Sequence, residues 1–88
     1  MDVREVLASR LKRHRMSLGL TQLELAEKAG IPYQVINRLE HGRQSLYVER
    51  LVTLATTLNV SLDYLVGRTD DPTLPKRARS RKATAAVS

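Results

Sequence analysis

The sequence predicts an all-α fold, five short helices in one small domain. Apolar residues recur at three- and four-residue spacings, glycines stand at the ends of the periodic stretches, and no segment alternates strictly enough to read as a strand. A chain of 88 residues holds one domain with a modest core. Its 42% hydrophobic content includes no Phe, Trp or Cys. The core must then be Leu, Val, Ile and Ala, which favours helices packed on helices.

The first helix is expected over residues 2–18, with Val3, Leu7, Leu11 and Leu18 as its stripe and Gly19 as its stop. Arg15 falls one turn after Leu11, beside that stripe, where an unpaired charge is costly. Thr21-Gln22-Leu23-Glu24 is a capping box that opens a second helix, flanked by the staple pair Leu20 and Leu25. Ala26 and Ala29 let a neighbour come close, Gly30 ends the helix, and Ile31 plugs the turn. Pro32 belongs in the first turn of a third helix, where its missing N–H costs nothing. Val35, Ile36 and Leu39 form the inward face of that helix; Tyr33, Gln34, Asn37, Arg38 and His41 form the other, and Gly42 ends it.

A loop over residues 43–47 leads to a fourth helix carrying Val48, Leu51, Leu54, Ala55 and Leu58, with Asn59 as its stop. Ser61 and Asp63 start a last short helix with Leu62, Leu65 and Val66, closed by Gly67. Beyond it the character changes: Asp70-Asp71-Pro72 and Pro75 break structure, and a basic run fills residues 76–82. Residues 1–69 are read as the domain and 70–88 as a flexible basic tail. That tail holds five positive and two negative charges, so +3 of the net +6 lies in it.

Several function classes are excluded by what the chain lacks. Without cysteine there is no disulfide framework and no thiolate metal site, which suits a reducing cytoplasm. No apolar run approaches a membrane span, and the N-terminus has no signal-peptide core, so no membrane association is expected. His14 and His41, the only histidines, fall on different helices, and there is no Gly-rich phosphate loop or paired-carboxylate motif. No enzyme, metal or cofactor is expected. The basic excess, with a pI near 10.3, suits a polyanionic partner.

Two short helices joined by a tight Gly-containing turn match the helix-turn-helix plan. The run Leu18-Gly19-Leu20-Thr21-Gln22, the segment from Leu25 through Ala26-Glu27-Lys28-Ala29-Gly30 to Ile31, and Ile36-Asn37-Arg38-Leu39-Glu40-His41-Gly42-Arg43 closely resemble the Xre family of phage Cro and repressor-type DNA-binding domains. Leu51-Val52-Thr53-Leu54-Ala55 and Val60-Ser61-Leu62-Asp63-Tyr64-Leu65 resemble that family's fourth and fifth helices, and the likeness spans residues 3–67. It implies a compact five-helix, lambda-repressor-like domain that binds double-stranded DNA and regulates transcription, as a repressor acting as a homodimer on a palindromic operator.

The third helix would then enter the major groove. Gln34 suits adenine, Arg38 suits guanine O6 and N7, Asn37 does on a shorter arm what Gln does, and Tyr33 meets a thymine methyl or a phosphate. The resemblance implies backbone contacts for Gln22, at the second helix start, and for Arg43; His41 is grouped with them. It implies an ion pair between Arg15 and Glu40. Leu62, Leu65 and Val66 are either a dimer surface or simply the end of the core. Two positions depart from the family pattern: Pro32 replaces a capping Ser or Thr, and Leu46-Tyr47 replaces a Pro-Ser entry to the fourth helix. The alternative function is an antitoxin or controller-type protein whose main role is to bind a protein partner, a toxin or RNA polymerase.

Overall fold

The first helix starts on a side-chain cap. Asp2 Oδ1 accepts the Arg4 N–H at 2.8 Å, which satisfies one of the amides that every helix start leaves unpaired. The computed structural model describes residues 2–43 and 47–74. Among them lie five helices and no strand: α1 (Val3–Ser17), α2 (Gln22–Ala29), α3 (Tyr33–Glu40), α4 (Val48–Leu58) and α5 (Leu62–Leu65). None of them is long and apolar enough to cross a membrane.

Local chemistry sets the other boundaries. The capping box of α2 closes in both directions: the Glu24 N–H donates to Thr21 Oγ1 at 3.0 Å, and the Thr21 N–H donates to Glu24 Oε1 at 2.9 Å. Gly30 ends that helix at φ +68°, a left-handed conformation that costs glycine little. Asn59 ends α4 at φ 60°, and asparagine is among the few other residues that adopt it readily. Pro32 differs from expectation. It stands just outside α3 as its N-cap, at φ −56° and ψ 142°. Its extended ψ keeps it out of the helix, while its carbonyl accepts the Val35 N–H at 3.0 Å.

Packing forms a closed ring: α1 against α3 and α5, α2 against α3 and α4, and α4 against α5. Its centre is aliphatic, with Leu7, Leu11, Leu25, Ile36, Leu54 and Leu65 completely buried. Three residues of the expected stripes lie outside it. Val3 and Val48 are the first residues of their helices and are exposed, and Leu18 is exposed because α1 has ended at Ser17. Leu65 is buried within the single chain, so it cannot serve as a dimer surface; Leu62 and Val66 are half-buried beside it.

The ends of the fold are tied by Arg10. Its guanidinium donates to the Tyr64 carbonyl at 2.6 Å, the Thr69 carbonyl at 2.7 Å and Asp70 Oδ1 at 2.8 Å, and lies 4.2 Å from the centre of the Tyr64 ring. The Ser61 N–H also donates to the Pro72 carbonyl at 2.9 Å. The segment expected to be loose from residue 70 is therefore held to the domain through Pro72; residues 75–88 of the expected tail lie outside the described residues. The Tyr64 hydroxyl accepts from Arg13 at 2.9 Å and sits 3.0 Å from His14 Nε2.

Two outcomes follow from this packing. Leu54→Ala removes a completely buried side chain and should cost about 2–5 kcal/mol of stability, read as a lower urea midpoint at unchanged slope. Burial, then the charges of Arg13 and Arg10, hold the His14 pKa below its ordinary value. The unfolded chain then takes up the proton that the folded ring resists, so this stability is present above the unfolded pKa and lost as pH falls below it. The urea midpoint should drop between about pH 7.5 and about pH 5.5, and drop less in His14→Gln.

Candidate nucleic-acid interface

The polarity of α3 divides it cleanly. Ile36 and Leu39 are buried, whereas Tyr33, Gln34 and Arg38 are exposed. Residues 33, 34, 37, 38 and 41 share one side of the helix at its turn spacing. At its end His41 turns back, with Nδ1 2.7 Å from the Asn37 carbonyl oxygen. A carbonyl only accepts, so Nδ1 carries the proton of that contact. Exposed Arg43 follows, its backbone N–H donating to the Arg38 carbonyl at 2.9 Å. Asn37, Arg38, His41 and Arg43 together line an open concavity of about 410 Å³. Two arginines stand in this concavity without a carboxylate among its described lining residues, which favours an anionic occupant.

Behind this face lies an ion pair. Arg15 Nε donates to Glu40 Oε2 at 2.6 Å and a terminal nitrogen donates to Oε1 at 3.1 Å, while the other terminal nitrogen donates to the Leu20 carbonyl at 2.6 Å. The Arg15 side chain is 11% exposed and that of Glu40 2%. The guanidinium thus joins α1, the α1–α2 turn and α3. Glu40 also accepts from Gln22 Nε2 at 3.0 Å, and Gln22 Oε1 accepts from Asn37 Nδ2 at 3.1 Å. Sequence reasoning treated Gln22, Asn37 and the Arg15–Glu40 pair as three separate roles; the structure joins them in one chain of hydrogen bonds. One signal of this was present, because Asn37 precedes Glu40 by three residues and so shares its side of α3. The Arg10–Tyr64–His14 cluster was missed altogether, and no local pattern in the sequence marks it.

The remaining sequence-derived site residues lie elsewhere. Leu62 and Val66 belong to α5 and the turn after it, packed with α1 and α4. Among the described residues, no three His, Asp or Glu side chains gather as a metal site would require.

Comparison with known proteins bears on the same residues. The family model described as helix-turn-helix, HTH_3, matches residues 11–65, from the middle of α1 to the end of α5. An uncharacterized HTH-type transcriptional regulator of Sinorhizobium fredii, y4dJ, is 39% identical over 71 residues, covering 81% of this chain and 92% of that protein. A hypothetical transcription factor from Neisseria, NHTF, superposes with a TM-score of 0.71 at 26% identity, over 92% of this chain and 85% of that one. The SinR–SinI protein complex contains a chain that superposes with a TM-score of 0.67 at 26% identity, over 91% of this chain and 78% of that one.

The ion pair gives a direct test of what orients α3. Glu40→Ala leaves the Arg15 guanidinium buried without its carboxylate and should cost about 3–5 kcal/mol. Replacing both, Arg15→Met with Glu40→Leu, should recover most of that loss in the same urea titration. Equal loss in the single and double variants would show that the charge left behind is not the cause.

Proposed function

Since the chain belongs to the HTH_3 helix-turn-helix family of DNA-binding transcriptional regulators, we propose that it acts as a repressor, a homodimer on a palindromic operator in the cytoplasm, with α3 laid in the major groove. One observation carries the reading: Tyr33, Gln34 and Arg38 are exposed on the polar side of α3, while the helix itself is anchored from behind by the Arg15–Glu40 pair. A rigid helix with free amide and guanidinium side chains is what reading base edges requires.

In this reading Tyr33, Gln34, Asn37 and Arg38 meet the bases. Gln34 pairs with an adenine edge and Arg38 takes guanine O6 and N7 with its fork. Gln22, His41 and Arg43 meet the sugar-phosphate backbone and set the register without reading sequence. One copy offers few base contacts, so two copies bind half-sites about 34–36 Å apart, joined through the part of α5 that the core leaves uncovered, Leu62 and Val66. The DNA-binding unit is residues 1–69 extended through Pro72, and the basic residues beyond it add attraction to phosphate without sequence preference.

A second reading, in which a protein partner is the main ligand, is favoured by the likeness to a chain solved in complex with another protein. The two readings part on the role of Gln34 and Arg38. Selection of duplexes from a randomised DNA pool should return a palindromic consensus for the wild type, lost or blurred in the Gln34→Ala, Arg38→Ala double variant. A consensus that is not palindromic removes the dimer; no consensus, or one that the variant shares, removes the reading of α3 and leaves the protein-partner role. On the selected operator, Arg38→Ala should cost about 1–3 kcal/mol and relax choice at one base pair. Arg43→Ala should weaken all sequences more evenly, and affinities measured across single-base operator variants separate the two.

A further inference from the structure

We infer that the buried ion pair dictates, through Gln22, which end of the Asn37 amide faces the groove, and so makes Asn37 a reader of the exocyclic amine of a base. The inference rests on α3 being the DNA-reading helix and adds the chemical group that one of its residues recognises.

The argument runs outward from the charge. Both oxygens of Glu40 are tied to Arg15, and a carboxylate in that pair has only lone pairs to offer. Gln22 can meet Glu40 Oε1 only with its amide nitrogen, and the contact is Nε2 at 3.0 Å. Its oxygen must then point the other way, toward α3. There it lies 3.1 Å from Asn37 Nδ2, and a carbonyl oxygen accepts but cannot donate. Turning Asn37 over would set oxygen against oxygen at that distance. Turning Gln22 over would set its oxygen against the Glu40 carboxylate. Each amide is held in one of its two orientations by the one behind it, and the first is held by a charge.

Asn37 Oδ1 remains, fixed in place, with the second hydrogen of Nδ2 beside it. No described residue donates to this oxygen, and it belongs to a side chain lining the open concavity with Arg38, His41 and Arg43. In the major groove an acceptor oxygen is matched by the amine N6 of adenine or N4 of cytosine, and opposed by O6 of guanine or O4 of thymine. An asparagine free to rotate can offer either end. This one has been set, so Asn37 selects for an amine, and Gln22 and Glu40 are positioning residues for that choice.

Every base pair carries both an amine and a keto group, so the base sequence of the operator alone does not decide the matter; deleting single groups does. The experiment starts from the selected operator and the base pair whose choice is blurred by Asn37→Ala. At that pair the amine is deleted by placing purine for adenine or 2-pyrimidinone for cytosine, and separately the keto group of the opposite base is deleted. Affinities for these duplexes are measured with the wild type, Asn37→Ala and Gln22→Ala. Loss of the amine should lower wild-type affinity about 5- to 100-fold, loss of the keto group much less, and Asn37→Ala should be indifferent to both. Gln22→Ala frees the Asn37 amide, so the gap between the two deletions should shrink, beyond any even loss from a missing phosphate contact. A larger effect of the keto group, a base choice that Asn37→Ala does not disturb, or a gap unchanged in Gln22→Ala overturns the inference while leaving the consensus, and the DNA-reading role of α3, intact. Absence of any consensus removes both.

Discussion

The contact between Arg15 and Glu40 is the constraint on which the working face depends. It is made by side chains on the two helices that pack together most directly behind that face, α1 and α3, and it reaches the intervening turn through the Leu20 carbonyl. An aliphatic core holds helices together but tolerates sliding and rotation, because dispersion contacts have little directional preference. A guanidinium with three fixed acceptors does not. Such a pair adds little net stability, since the desolvation of both charges offsets their attraction. What it supplies is a defined rotation and register for α3, and hence for the residues on its far side.

The same logic explains how a short helix without a side-chain cap keeps its place. α3 has a proline where a capping hydroxyl is usual, and no side chain bonds its first amides. The fixed φ of the proline and the carbonyl that accepts from Val35 define where the helix begins. The ion pair fixes its other end, through Glu40, its last residue. Between those two anchors Ile36 and Leu39 bind it to the core. Its outer face is thus free of structural duty, apart from Asn37.

The helices were legible in the sequence because their signals are local. The capping box at Thr21, the left-handed stops at Gly30 and Asn59, and the spacing of Leu51, Leu54 and Leu58 all act within one or two turns. Errors arose where periodicity was carried past a helix end, as with Leu18, or into its first residue, as with Val3 and Val48. Leu65 shows a different limit. Periodicity places it on an apolar face, but whether that face meets the same chain or another depends on α1 and α4, which are distant in sequence. The candidate site was legible as a set of residues on α3 and less so as a network. Hydrogen-bond polarity between Gln22 and Asn37 depends on two helices meeting at one angle, and no spacing rule encodes it.

Arg10 has a consequence for how the protein is made. Its acceptors lie 54 and 59 residues further along the chain, and α1 finds one of its two packing partners only in α5. A ribosome releases the chain from its N-terminus, so α1, α2 and α3 emerge long before the residues that close the ring around them. Contacts of such separation form late, after most of the chain is available. The half-finished product therefore carries α3 on an open, unclosed core. The ring closes only when Tyr64 and Thr69 arrive, and these late-made residues act as the latch that completes it.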